Sequence, residues 1–146
     1  MKIFGHPLHV MVIHFPVGLL PMELVLSFLA YYTGNASFPT AAAYSLFGGV
    51  LMGYAAILTG LLDLLAIPKE QKATLGAGLL HGFVNGMVVL IYSIFAYKAW
   101  QAYPRFDQPT LPILLLKLLL VLSLFIGNFL GGNLIYKHRI GLQKTI

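Results

Sequence analysis

The sequence predicts an all-α integral membrane protein, a four-helix bundle with both termini on the same side of the bilayer. Hydrophobic residues make up 59% of the chain and charged residues only 9%, with a mean hydropathy of +0.86, which leaves too little polar surface to cover a soluble globule. The apolar residues also gather into four runs separated by turn residues. Each run reaches the roughly 20 residues that cross a bilayer core as a helix.

The first run covers about residues 7–32 and is broken by "TGNASFPT". The second covers about 40–67, where Pro68 and "KEQK" end it. The third covers about 73–100 and leaves through "QAYPRFDQPT", and the fourth covers about 111–136 before "KHRIGLQKTI". With connections this short, residues 1–146 read as a single four-span domain. The apolar stretch after Met1 and Lys2 is too long for a signal peptide and has no convincing small-residue cleavage pattern, so the N-terminus is expected to be retained.

Charge orients the spans. Lys2, Lys69, Lys72, Lys137, Arg139 and Lys144 fall on the side that carries both termini, here side A, whereas side B has Lys98 and Arg105. The positive-inside rule makes side A cytoplasmic, giving an N-in, C-in protein. The net charge of +5 is therefore read as topology, with no nucleic-acid partner. Tyr31, Tyr32, Tyr97, Trp100 and Tyr103 gather on side B as interfacial anchors.

All five histidines fall on side A: His6, His9 and His14 open the first span, His81 lies in the near half of the third, and His138 follows the fourth. At 1.5 Å per residue, His14 and His81 lie about 10 and 12 Å deep, with Asp63 about 7 Å below the same surface. Imidazoles and carboxylates inside a span are costly unless paired, so they face the bundle interior or a cavity. His9 and His14 are about 140° apart around a helix and cannot form an i, i+4 metal clamp. Pro16 and Pro21 each remove a helix hydrogen bond, which predicts a bend around His14.

On the third span His81 and Asn85 share a face, and Gly78, Gly82 and Gly86 form a stripe beside them. Gly49 with Gly53, Ala56 with Gly60, and Gly127 with Gly131 make similar stripes, which serve close helix packing or leave room for a flat macrocycle. The chain has no cysteine, so thiolate metal sites, Cys-ligated iron–sulfur clusters, disulfides and covalent c-type haem are excluded. Haem b suits what remains, because its iron takes two neutral imidazoles from facing helices.

The leading expectation is therefore a small electron-transfer protein of a respiratory or photosynthetic membrane. It would bind haem b on His14 and His81, with His9, Gly82 and Asn85 lining the site. Three rivals stand beside it. One is zinc or another divalent ion on His9, His14, His81 and Asp63. Another is an accessory subunit without a cofactor, whose His and Asp side chains, His6 and His138 included, form a structural network. The third, a quinone near His9 or Asp63, has only a histidine and a carboxylate in its favour, which are too generic to single it out. No nucleophilic triad, metalloprotease motif or phosphate loop is legible, so independent catalysis is not expected.

Toward side B, Glu23 and Lys117 lie about 13 and 8 Å from the ends of their helices and form a candidate ion pair. Otherwise Lys117 would snorkel and Glu23 would be protonated or lie in a cavity.

Together, "HPLHVMVIHFPVGLL", "AILTGLLDLLAIP", "GLLHGFVNGM" and "GGNLIYKHRIGL" resemble a family of bacterial four-helix membrane proteins, domain-of-unknown-function family 2231. The resemblance touches all four spans. Val10 stands where the family usually has a second proline, and Arg139 where it often has glycine. The resemblance implies a bacterial inner-membrane protein with His6, His9, His14, Asp63, His81 and His138 on the family's polar motifs. Some similar proteins are joined to Rieske-type or cytochrome-type domains, which implies redox or other membrane proteins as partners.

Overall fold

The computed structural model describes residues 2–3 and 6–138, with side chains for 8–133. Two short strands, β1 (Lys2–Ile3) and β2 (His6–Pro7), pair antiparallel ahead of the helices. Then follow α1 (Leu8–Val12), α2 (His14–Thr33), α3 (Ser37–Leu65), α4 (Lys72–Ala102) and α5 (Leu111–His138). Helices α1 and α2 together form the first of four segments long and apolar enough to cross a membrane, and α3, α4 and α5 form the others.

The interruption at Ile13 has a local cause. Pro16 has no N–H, so the carbonyl of Val12 loses its helical partner. The bonds on either side survive, Ile13 N–H to the His9 carbonyl at 3.0 Å and Val17 N–H to the Ile13 carbonyl at 3.2 Å. The expected bend is thus a one-residue break just before His14. Pro21 is carried inside α2 without interrupting it. At the far end of α2 the chain stops on Gly34 in the left-handed conformation (φ 67°), which lets its N–H close back on the Ala30 carbonyl at 2.9 Å.

The helices form a ring in which α2 packs on α3, α3 on α4, α4 on α5, and α5 closes against α2 through the least extensive of these contacts. Inward positions recur every seven residues, close to two helical turns. Leu20, Leu46, Val50, Val88, Tyr92, Leu120 and Leu124 fill the centre. Gly49 makes room for Leu20 and Gly53 for Val89, since a Cβ at either glycine would stand 2.6 Å and 2.8 Å from those side chains. This apolar plug separates two polar layers, one toward each end of the bundle.

Candidate functional site: an imidazole pair above a buried ion pair

The layer at the His9 end draws on all four spans. The His9 ring reaches α3, where Nδ1 lies 3.0 Å from the Ala56 carbonyl and 3.3 Å from Thr59 Oγ1. The His81 ring crosses from α4 to α5, where Nδ1 lies 2.7 Å from the Gly127 carbonyl. A carbonyl oxygen only accepts, so in the neutral rings each Nδ1 carries the hydrogen and each Nε2 keeps a lone pair; Asn85 Nδ2, 3.1 Å from His81 Nδ1, then has no acceptor there. Among the described residues neither Nε2 has a hydrogen-bond partner. The two rings stand edge to face, 6.2 Å between centroids and 84° between planes.

Glycine shapes this layer. A Cβ on Gly60 would come within 2.8 Å of the His9 ring, and one on Gly131 within 2.6 Å of the His81 ring. Gly127 leaves space for Asn85, whose Oδ1 would meet an added Cβ at 2.5 Å. Asn85 Nδ2 donates to the His81 carbonyl at 3.1 Å, while its buried Oδ1 has no partner among the described residues. Asn128 Nδ2 is likewise buried and unpartnered among them. These notches hold the protein's own imidazoles and amide, which is why a glycine on one helix faces each polar side chain of another.

The structure brings His9, and not His14, to His81. His9 and His81 are half-buried, whereas His14 is exposed on the outer face of α2. Two residues about 140° apart on a helix cannot both face in. The signal that decides between them lies in the sequence: Glu23, a mid-span carboxylate, must point inward. Pro16 and His9 precede it by seven and fourteen residues and so share its face. His14, nine residues before Glu23, is rotated from it by about 180°.

Asp63 is half-buried on α3 and lies within electrostatic reach of His9, as does His81. Gly82 is exposed, with open space where its Cβ would be. His6 lies in β2 and His138 ends α5, but their side chains fall outside the described residues. Among the described residues no three His, Asp or Glu side chains assemble at metal-ligand spacing, so the four-ligand set of His9, His14, His81 and Asp63 does not form there.

Beyond the apolar plug, Glu23 of α2 and Lys117 of α5 form a direct ion pair. Ser27 joins them: its Oγ donates to Glu23 Oε1 at 2.9 Å and accepts from Lys117 Nζ at 3.0 Å. The ammonium also lies 5.6 Å from the centre of the Phe95 ring. Glu23 is 1% exposed, Ser27 2% and Lys117 7%, so the cluster is sealed from both lipid and water. Glu23 Oε2 has no hydrogen-bond partner among the described residues. The pair bridges the first and last spans, where helix packing is thinnest.

Four apolar helices in a ring, with a half-buried imidazole pair and a buried ion pair at two depths, define a polytopic membrane protein. The model of the predicted membrane protein family DUF2231 matches residues 5–144, nearly the whole chain, and the protein belongs to that family. No curated protein and no solved structure matches it.

Proposed function

We propose that this protein binds haem b between His9 and His81 and passes electrons within the membrane, as a small subunit or partner of a redox complex. One observation carries the reading: two imidazoles from the first and third spans meet with each Nδ1 hydrogen held by a carbonyl of another helix. That outer contact fixes tautomer and ring orientation, and it raises the basicity of the Nε2 left free for a metal.

The ligand count favours haem over a bare ion. A structural zinc site takes four protein ligands and a catalytic one three, whereas a haem iron already has four porphyrin nitrogens and needs two axial groups. The excess of Lys and Arg on side A supports a cytoplasmic placement of this end in a bacterial inner membrane.

The reduced-minus-oxidised visible spectrum of detergent-purified protein, with haem quantified, tests the reading. A low-spin b-type spectrum is expected in the parent chain and in His14→Ala, and it should be lost in His9→Ala and His81→Ala. No haem in folded protein expressed with ample haem supply would overturn the proposal. Bound metal without haem would transfer the site to an ion. Neither group, with a marked loss of stability in His81→Ala, would make the layer an interhelical lock.

A further inference from the structure

We propose that the His9 end of the bundle opens to the bilayer between α1 and α5, and that a quinol headgroup enters there and binds through one hydroxyl to Asn85 and Asn128. The inference is independent of any cofactor at His9 and His81, because it uses amide atoms and no imidazole nitrogen. It starts from a seam that is closed at one end and parted at the other. Toward side B the first and fourth spans are joined by Glu23 and Lys117. Toward side A the break at Ile13 lets α1 lean onto α3, where His9 donates to the Ala56 carbonyl. Among the described residues α1 packs on α3 and α2, and no comparable packing joins it to α5.

Glycine marks the opening on α5. Lys117, Val121 and Leu124 are buried on the inner face of that helix. Asn128 and Gly132 come three turns after Lys117 and Val121 and continue the same face. Both are only half-buried, and a Cβ on Gly132 would meet nothing within 4 Å. The inner face of α5 is therefore covered through the apolar plug and bare beyond it, on the side where α1 has leaned away.

The unused valences beside this opening select the ligand. Asn85 Oδ1 lies against the backbone of Gly127, 2.5 Å from where a Cβ would stand, and Asn128 is the next residue. Acceptor and donor therefore lie at one level, a turn beyond His81 toward the plug. Asn85 Oδ1 and Asn128 Nδ2 are both buried without a partner among the described residues, a state that costs stability. One hydroxyl answers both, donating to Oδ1 and accepting from Nδ2. A ligand that arrives through lipid is itself lipid-soluble, and a quinol carries such a hydroxyl on an apolar ring and tail. A quinone has only carbonyls, which accept from Asn128 and leave Asn85 as it was. The site therefore prefers the reduced form.

Binding of decylubiquinol and decylubiquinone to the whole chain in lipid nanodiscs, measured against empty nanodiscs, tests the proposal. The quinol is expected to bind about tenfold more tightly than the quinone, because the oxidised form leaves one amide valence unmade. Asn85→Leu and Asn128→Leu should each weaken quinol binding about tenfold. Each trades an amide with an unpartnered buried atom for an apolar side chain of similar size, so the fold should hold. Gly132→Leu fills the opening without altering either amide, and it should abolish binding while thermal unfolding stays in place. His9→Ala removes a proposed haem ligand and should leave quinol affinity unchanged, so the two readings fail separately. Retention no greater than in empty nanodiscs would overturn the proposal and leave the two amides to an internal water. Equal affinity for the two oxidation states would overturn it as well, as would binding indifferent to both Asn128→Leu and Gly132→Leu.

Discussion

The ion-pair layer and the imidazole layer both hold ionisable groups inside an apolar bundle, yet they differ in how many of their hydrogen-bonding valences the protein satisfies. At Glu23, Ser27 and Lys117 every group is 7% exposed or less and the three side chains bond one another, leaving one carboxylate oxygen over. At His9 and His81 the rings are half-buried and each spends one nitrogen on a carbonyl, leaving two Nε2 atoms. Asn85 Oδ1 and Asn128 Nδ2 are left over in the same half of the bundle. The first arrangement is what a structural staple needs, and the second is what a binding site needs. The apolar plug of Leu20, Val50, Val88, Leu120 and Leu124 lies between them, so neither layer has a polar path to the other through these residues.

The largest effect should come from breaking the staple on one side. Lys117→Met leaves the Glu23 carboxylate buried without its counter-charge, and losing one member of a buried pair costs about 3–5 kcal/mol. The double variant Glu23→Leu, Lys117→Met removes both charges and should recover most of that loss, because well-packed apolar groups often replace a buried pair at little cost. Thermal unfolding in detergent measures both. A double variant as unstable as the single one would mean that the pair supplies more than helix closure, and the contrast between the layers would weaken.

The imidazole layer should yield more gently, and through glycine. Gly131→Ala would put a methyl 2.6 Å from the His81 ring, with overpacking expected to cost about 1–3 kcal/mol. Gly127→Ala presses on Asn85 at 2.5 Å and should act similarly. Gly82→Ala meets open space, so it should be neutral or stabilise by up to about 1 kcal/mol through helix propensity. If the His9–His81 pair is a ligand site, Gly131→Ala should also shift the visible spectrum more than Gly82→Ala does. The reverse order would move the site to the outer side of α4.

Much of this is legible in the sequence. The four helices follow from apolar runs and their punctuation, with boundaries displaced by a few residues: α3 begins at Ser37 instead of near Thr40, because "SFPT" is its first turn and tolerates Pro39 there. Glu23 and Lys117 were legible as partners because two isolated mid-span charges are too costly to leave apart. Which histidine faces inward was legible too, but only by counting from Glu23. Depth alone favoured His14, since depth says nothing of rotation about the helix axis. Glycine stripes signal close packing without naming what fills the space, and only the three-dimensional register assigns Gly60 to His9, Gly131 to His81 and Gly127 to Asn85.

The smallest change asks how completely the staple is sealed. Tyr92 is fully buried, its ring packs edge-on near Phe95 at 6.1 Å, and its hydroxyl reaches the Lys117 carbonyl at 3.5 Å, the outer limit of a hydrogen bond. Tyr92→Phe keeps the ring and its packing and should cost less than about 1 kcal/mol, the ordinary range for one weak neutral hydrogen bond. Tyr92 also lies within electrostatic reach of Glu23, whose Oε2 is the unsatisfied atom of the cluster. A cost well above that range would mean that the hydroxyl serves Glu23, directly or through a buried water, and not the distant carbonyl. The ion-pair layer would then have no valence left over, and the spare valences of the bundle would belong to the imidazole layer alone.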